Sequence, residues 1–454
     1  MTRVLIVGAG PAGIRAAEKL VRAGLTPVVV DEGARAGGQI YRRPPEAFTR
    51  PPGKLYGSEA GKAVALHRCF DGMVATGQIT HLPQHSVIAL MPGRAQLIGP
   101  DGAQVRTFDR LILATGATDR AAPVPGWQSA GVFSLGAAQI ALKAQGVALG
   151  RQIVLAGSGP LLTLVANQLI RAGAGVAAVL DTAPLRDQIA GGIAMALARP
   201  GVTARGLALR AGLGRRYHAG VTLDRIAAGP QGPEALHWRD AAGRGRATAC
   251  DTVALGWHLR AETHLADLAG AAFDWSPVWQ QWLPRADALG RAGPGLYLAG
   301  DGLRLLGADG AEIAGRLAAT ACLQDLGLPH ADPVTDLRRM ARLARFAEGV
   351  ARAFPWPAAM LRALPDAAVV CRCEGITAGD IRTTLPLAEP EANRVKSLAR
   401  PGMGRCQGRY CQLAAAEITA TAAGLSPEQI GRLRGQPPVR PAPVGALAGL
   451  DEAP

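Results

Sequence analysis

Residues 3–32 read RVLIVGAGPAGIRAAEKLVRAGLTPVVVDE: a strand, a turn, a helix and a second strand. Val4 to Val7 is a short apolar run of the kind that forms a strand buried on both faces. Gly8, Gly10 and Gly13 follow in the spacing G-x-G-x-x-G, with Pro11 and Ala12 among them. In this spacing the first glycine permits a tight turn and the second lets backbone approach a diphosphate. The third lets helix pack closely on strand. Free N–H groups at the helix start would hold the diphosphate. Leu25 to Val30 returns as the next strand and ends on Asp31 and Glu32. An acid there can accept from an adenosine ribose with an unphosphorylated 2′-hydroxyl. Glu32, 19 residues after Gly13, is better spaced for this than Asp31. The plain alternative is an ordinary strand-to-helix turn.

Beyond this unit, Gly37-Gly38-Gln39 lets backbone pass close to a bound cofactor, or is a simple turn. Residues 44–56, rich in Pro and Arg, read as a surface excursion, and 72–107 as a small antiparallel insertion. The strand Asp109–Leu113 runs into Ala114-Thr115-Gly116, which resembles a second flavin-domain signature of flavoproteins with two dinucleotide-binding domains. Gln152 to Asp181 then repeats the opening plan about 150 residues on. Its glycines are Gly157 and Gly159, but Leu162 holds the third position. A leucine there should hold helix away from strand and crowd the diphosphate path. Residues 205–255 read as short strands and turns. Leu296 to Asp301, LYLAGD, resembles a third flavin-domain signature; Gly300-Asp301 would bond a ribityl chain, and a helix follows from about Ile313 to Leu326. Among the histidines, His258 is the one to inspect, with a structural role the favoured reading.

Four of the seven cysteines lie near the end: Cys371-Arg-Cys373, then 32 residues, then Cys406-x4-Cys411. Two such pairs supply the four thiolates usual for a 2Fe–2S cluster. Zinc also takes four cysteines, though its ribbons favour C-x2-C. Glycines near Cys406 free backbone N–H groups to point at sulfur. Cys69, Cys250 and Cys322 are scattered, which is no disulfide framework and suits a reducing cytoplasm.

The 454 residues suffice for two or three domains, and 48% hydrophobic content supplies large cores. The formal charge of +14 is almost all arginine, with five lysines. That reflects base composition of the genome, an acidic partner, an anionic substrate or a membrane surface. No dense basic block with interleaved aromatics is present, which speaks against nucleic acid. No run of 18 apolar residues suggests a membrane span. The first strand begins at about the third residue, leaving no room for a signal peptide.

Taken together, VGAGPAG, DEGARAGGQIYR, LILATGA, AGSGPLL, YLAGD, CRCEGIT and GMGRCQGRYC resemble one group over nearly the whole chain. It is the alpha (A-type) subunits of octopine and nopaline oxidases, the B subunit of hydrogen cyanide synthase and the alpha subunits of dye-linked proline and hydroxyproline dehydrogenases. The last motif resembles the BFD-like 2Fe–2S domain. The resemblance implies an α/β fold with two Rossmann-like domains and a small helical 2Fe–2S domain. It implies FAD, or ATP or another adenine nucleotide, on Gly8, Gly10, Pro11, Ala12, Gly13, Asp31, Glu32, Gly38, Gln39, Thr115, Gly116, Gly300 and Asp301. It implies a cluster on Cys371, Cys373, Cys406 and Cys411, and FMN near a subunit interface. The implied partners are a flavoprotein beta subunit of the D-amino-acid-oxidase type and a small ferredoxin-like subunit.

The expected domains are 1–122 with 256–330 for FAD, 123–255 as a second NAD(P)-binding-like domain, 331–365 as connector, 366–434 for the cluster and 435–454 as a loose tail. The expected function is an electron-transferring alpha subunit of an amine or amino-acid dehydrogenase acting on an opine, proline, hydroxyproline or glycine. The alternatives are a self-sufficient NAD(P)H-dependent flavoprotein reductase, against which Leu162 argues, and a non-catalytic nucleotide-binding scaffold. The expected place is the cytoplasm, with peripheral contact to the inner membrane at most. No catalytic base stands out.

Overall fold

The computed structural model describes residues 2–48 and 50–448. Two parallel sheets organise it. In the first, strands Leu296–Leu298, Arg110–Leu113, Val4–Val7, Val28–Asp31 and Thr80–Pro83 run parallel, and Arg291–Gly293 adds an antiparallel edge. In the second, Tyr217–Ala219, Val176–Asp181, Ile153–Ser158, Thr252–Trp257 and Val132–Ser134 are parallel throughout. Each glycine turn leaves an interior strand with a parallel neighbour on either side. A crevice opens at the carboxyl ends of the strands in that arrangement. Val4–Val7 and Ile153–Ser158 are buried at every position, which is why they read as continuous apolar runs.

Each sheet carries a three-stranded antiparallel appendage, from Ser86 to Thr107 and from Thr222 to Ala249. The antiparallel pair Ala117–Asp119 with Leu259–Ala261 stitches the two halves together. Two stretches expected as strand and turn begin as helix: residues 72–75 end the helix Ala60–Ala75, and 205–211 lie in Pro200–Ala211. Gly61, Gly72, Gly201 and Gly206 face open space there. Each weakens its helix by about 1 kcal/mol without ending it. The helix that follows Gly300-Asp301 also starts earlier than expected, spanning Gly307–Asp325.

The segment expected as a connector contains the helix Val334–Ala353, which crosses Leu185–Ala198 backbone to backbone. A Cβ on Gly191 would lie 2.3 Å from Ala353 N, and one on Gly349 would lie 2.9 Å from Met195 N. The cysteine-bearing segment folds into short helices around Gln412–Ala423 and a small hairpin, Val369–Cys371 with Ile376–Thr377. Its core is continuous with that of the second sheet: Val370, Ile381 and Ile418 share one apolar cluster with Val154, Leu180 and Trp257. Trp127 Nε1 donates to Val369 O across this contact at 2.6 Å.

The tail departs from expectation. Residues 435–440 are docked, whereas 449–454 lie outside the described residues. Gly435 N–H donates to Asp267 (2.5 Å), Lys396 Nζ to Gln436 (2.8 Å), and Val439 N–H to Ile88 O (2.9 Å). Val439 is buried among Leu5, Val87 and Leu97 of the first half. Composition alone suggested a loose end; one buried valine and a run of backbone bonds hold it instead.

Candidate functional site

The helix Pro11–Arg22 begins at Gly10 with no side-chain cap. Its first N–H groups therefore have no intrahelical partner and carry the positive end of the helix dipole. Two of the three glycines answer to the protein. A Cβ on Gly8 (φ +108°) would lie 2.3 Å from Ala114 O, and one on Gly13 would lie 1.8 Å from Gly8 O. Gly10 is different. Its φ of −80° suits any residue, and a Cβ there would meet only Gly38 Cα, at an ordinary 3.7 Å. Nothing in the protein requires glycine at 10, so the space before it is the space a ligand needs. Gly38 (φ +63°) closes over the turn, and Gly37 N–H donates to Ala9 O at 2.8 Å. Gln39 accepts from Arg42.

Of the two acids, Asp31 is committed to the turn. It accepts from Ala9 N–H (2.5 Å) and Gly33 N–H (2.7 Å), and burial pushes its pKa up. Glu32 is half exposed and held by one edge of the Arg440 guanidinium, through Nε at 2.5 Å and Nη2 at 3.1 Å. The tail arginine thus sits on the acid expected to meet the ribose.

The other two flavin-type motifs converge on the same crevice. Thr115 Oγ1 donates to Glu262 O at 2.7 Å, and Glu262 N–H donates to Gly116 O at 3.0 Å. A Cβ on Gly302 would lie 2.7 Å from Thr115 Oγ1. Gly300 (φ +72°) brings its turn onto Ala12. Asp301 accepts from Leu306 N–H (2.9 Å) and Gly307 N–H (3.0 Å) through one oxygen, Oδ1, at the start of the helix Gly307–Asp325. Burial pushes its carboxyl up to about 6 despite those bonds.

The second glycine turn is built otherwise. Leu162 does not crowd the diphosphate path; it is fully buried with Leu135, Leu155 and Val165. His258, in a left-handed conformation (φ +66°), places its ring about 3.7 Å from where a Cβ on Gly159 would be. Its Nδ1 accepts from Leu259 N–H at 2.7 Å, and burial lowers its pKa to about 4. Asp181, in the position of the ribose acid, is buried and accepts from Ser158, Ala183 N–H and Tyr217 at 2.7–3.0 Å.

The four cysteines meet as two thiol pairs, Cys371 with Cys411 and Cys373 with Cys406. Among the described residues no three Cys, His, Asp or Glu side chains close around a single ion. A mononuclear zinc centre needs four donors around one point, whereas a dinuclear cluster takes two thiolates at each iron. The Cys411 thiol and the N–H groups of Gly402, Glu374 and Cys373 lower Cys371 to about 6, against burial, while Cys411 is raised. Tyr410 and Gly408 N–H groups point at Cys406.

Inside the Cys406–Cys411 loop, Arg409 is buried and grips Glu262 with Nε (2.6 Å) and Nη2 (3.0 Å). Its Nη1 donates to Cys406 O and Val439 O. Burial would raise the Glu262 carboxyl, but His264 and Arg409 hold it well below the usual range. One residue, Glu262, therefore joins the Thr115-Gly116 motif to the cysteine loop. Sequence reasoning missed Glu262, Arg409 and Arg440. Arg409 lay in plain view inside the C-x4-C motif, but nothing marked Glu262 as its partner.

Two glycine turns on two parallel sheets define a flavoprotein-type oxidoreductase with duplicated dinucleotide-binding units. Residues 2–208 match the pyridine nucleotide-disulphide oxidoreductase family, and residues 367–450 match the sarcosine oxidase A3 domain. The chain is 37% identical to the A-type subunit of opine oxidase from Rhizobium meliloti, over 98% of this chain and 87% of that one. It is 30% identical to the HcnB subunit of hydrogen cyanide synthase from Pseudomonas aeruginosa, over 99% and 98%. It belongs to this family of A-type opine oxidase and HcnB subunits, and is a flavin oxidoreductase. In fold it is similar to L-proline dehydrogenase from P. horikoshii, with a TM-score of 0.70 at 18% identity over 98% of this chain and 80% of that one. No helix among the described residues is long and apolar enough to cross a membrane.

Proposed function

We propose that this chain is the electron-transferring alpha subunit of a hetero-oligomeric amine or amino-acid dehydrogenase, with FAD in the first site and a 2Fe–2S cluster on Cys371, Cys373, Cys406 and Cys411. The observation that carries the reading is the Glu262–Arg409 link. It runs from the Thr115-Gly116 motif straight into the cysteine loop. A buried ion pair there fixes the cysteine loop against the first site, an arrangement that electron transfer between the two would use. When bound, FAD would supply two-electron transfer and the cluster one-electron transfer.

The chain's own residues then have definite tasks. The N–H groups after Gly10 hold a diphosphate, and Glu32, oriented by Arg440, accepts from the ribose. Asp301 Oδ2 receives a ribityl hydroxyl while Oδ1 keeps the helix start. Arg409 holds the cysteine loop against the first half. The buried Arg409 finds its carboxylate in Glu262. Substrate oxidation falls to a partner of the D-amino-acid-oxidase type, with FMN near the interface; the further component is a small ferredoxin-like subunit. The relatives named as subunits support a partner. Asp181, committed to Ser158, Ala183 and Tyr217, supports the absence of an NAD(P)H route. The domain limits given from the sequence are kept as part of this proposal, except that residues 435–440 dock on the first half.

The test is anaerobic stopped-flow reduction. Alone, the chain is expected to be coloured, with the absorbance of flavin and cluster, and not reduced by NADH or NADPH at catalytic rates. Co-expressed with its flavoprotein partner, it should support dye reduction by an opine, an imino acid or an amino acid. Fast bleaching by NADH alone would establish the reductase reading instead.

A further inference from the structure

The strand Leu259–Ala261, the hairpin Phe273–Pro284 and the C-terminal helices enclose a cavity of about 40 Å³. That is room for about three waters or one small polyatomic ion. Arg260, Gln281 and Trp282 stand on its wall. Each carries a buried donor without a partner: Arg260 Nη1, Gln281 Nε2 and Trp282 Nε1. Arg260 is 4% exposed and Gln281 2%. His264 Nδ1, on the same wall, is already 3.1 Å from Glu262.

The charges around the cavity do not cancel. Gln412, with its amide oxygen turned inward, accepts from Arg260 Nε (2.7 Å) and Nη2, which leaves Nη1 free. The wall acids serve other arginines, Glu417 with Arg362 at 2.8 Å and Asp267 with Arg432 at 2.7 Å. Glu262 serves Arg409 and His264. A second buried cation, Arg120, stacks 4.0 Å over the ring of Trp356, another wall residue.

An unmade buried donor is destabilising, and more so when it is charged. Water would answer the donors but bring hydrogens needing acceptors of their own. An oxyanion brings acceptors alone and neutralises Arg260. We propose that this cavity binds a small oxyanion, a carboxylate or a phosphate, held by Arg260 Nη1, Gln281 Nε2 and Trp282 Nε1. The site stands independently of the electron-transfer reading. Because its walls come from the first half and from the C-terminal helices, an occupant would also bind the two together.

The experiment is thermal unfolding of the full chain in a low-salt zwitterionic buffer, titrated separately with inorganic phosphate and with acetate. The wild-type midpoint should rise saturably with one of them, and the responding anion identifies which oxyanion the site takes. Gln281→Met removes a stranded donor while keeping the shape. It also removes the acceptor of Ala261 N–H (3.4 Å), so its midpoint without anion should stay near that of wild type, while it should bind the anion about tenfold more weakly, the worth of one hydrogen bond. Arg260→Met should lose the response, and if it does not fold, Gln281→Met decides alone. No saturable response in wild type, or the same response in wild type and Gln281→Met, would overturn the proposal.

Discussion

Replacing Gly10 by valine separates the two jobs a glycine turn does. The backbone at Gly10 is extended (φ −80°, ψ −175°), and a Cβ meets Gly38 Cα at 3.7 Å. The cofactor-free fold should tolerate the change within about 1 kcal/mol, as for a site without a clash. The branched side chain fills the space before the helix start and denies the diphosphate its N–H donors. Hydrogen bonds to a charged group contribute about 1.5–3 kcal/mol each. Losing two removes roughly 3–6 kcal/mol, a hundredfold to ten-thousandfold or more in affinity. Gly13→Ala is the contrast: its Cβ would lie 1.8 Å from Gly8 O. Opening that contact by more than about 1 Å should destabilise even the cofactor-free protein by about 1–3 kcal/mol or more. The assay is flavin content of the purified proteins, with unfolding of the flavin-stripped forms so that ligand stabilisation does not enter. Full flavin loading of Gly10→Val would refute the assignment of the first site.

Cys406→Ser should lose cluster iron and labile sulfide, normally about two of each per chain. Serine at Cys69, Cys250 or Cys322 should leave both intact, and iron loss from any of these three would relocate the centre. Glu262→Gln strands the Arg409 charge and should cost about 3–5 kcal/mol; a loss under about 0.5 kcal/mol in urea unfolding would show the pair to be idle. Asp301 has a raised folded pKa of about 6. The folded state thus holds a proton that the unfolded chain has released, so this group's contribution to stability falls as pH rises from about 4 to about 6. Asp301→Asn should remove that slope, on the order of 1–3 kcal/mol across the window, in flavin-free protein, and an unchanged slope would place the titration elsewhere.

The parallel sheets were legible in the sequence because their strands are buried on both faces and because Gly8 and Gly13 are dictated by close backbone contacts at the turn. The repeat at Gly157 was legible for the same reason. Leu162 was correctly seen as a departure, but its consequence was misplaced: the side chain turns into the core. No local pattern announces that. The Glu262–Arg409 and Glu32–Arg440 pairs join residues 147 and 408 positions apart. Periodicity cannot see such distances, since it registers only neighbours on one face. The helices Ala60–Ala75 and Pro200–Ala211 were obscured by glycines that turned out to be on open faces.

The clasp of Arg440 on Glu32 also sets a timetable for the growing chain. The two residues are 408 positions apart, so at about 5–20 residues per second the acid waits on the order of 20–80 s for its arginine. The strand Leu296–Leu298 comes late as well, and until it emerges Arg110–Leu113 presents an unpaired edge. During synthesis the glycine turn stands in a half-built sheet whose rim can pair with other chains. Nascent protein would be most vulnerable to aggregation in that interval, and flavin would meet a site that closes only once Arg440 has emerged.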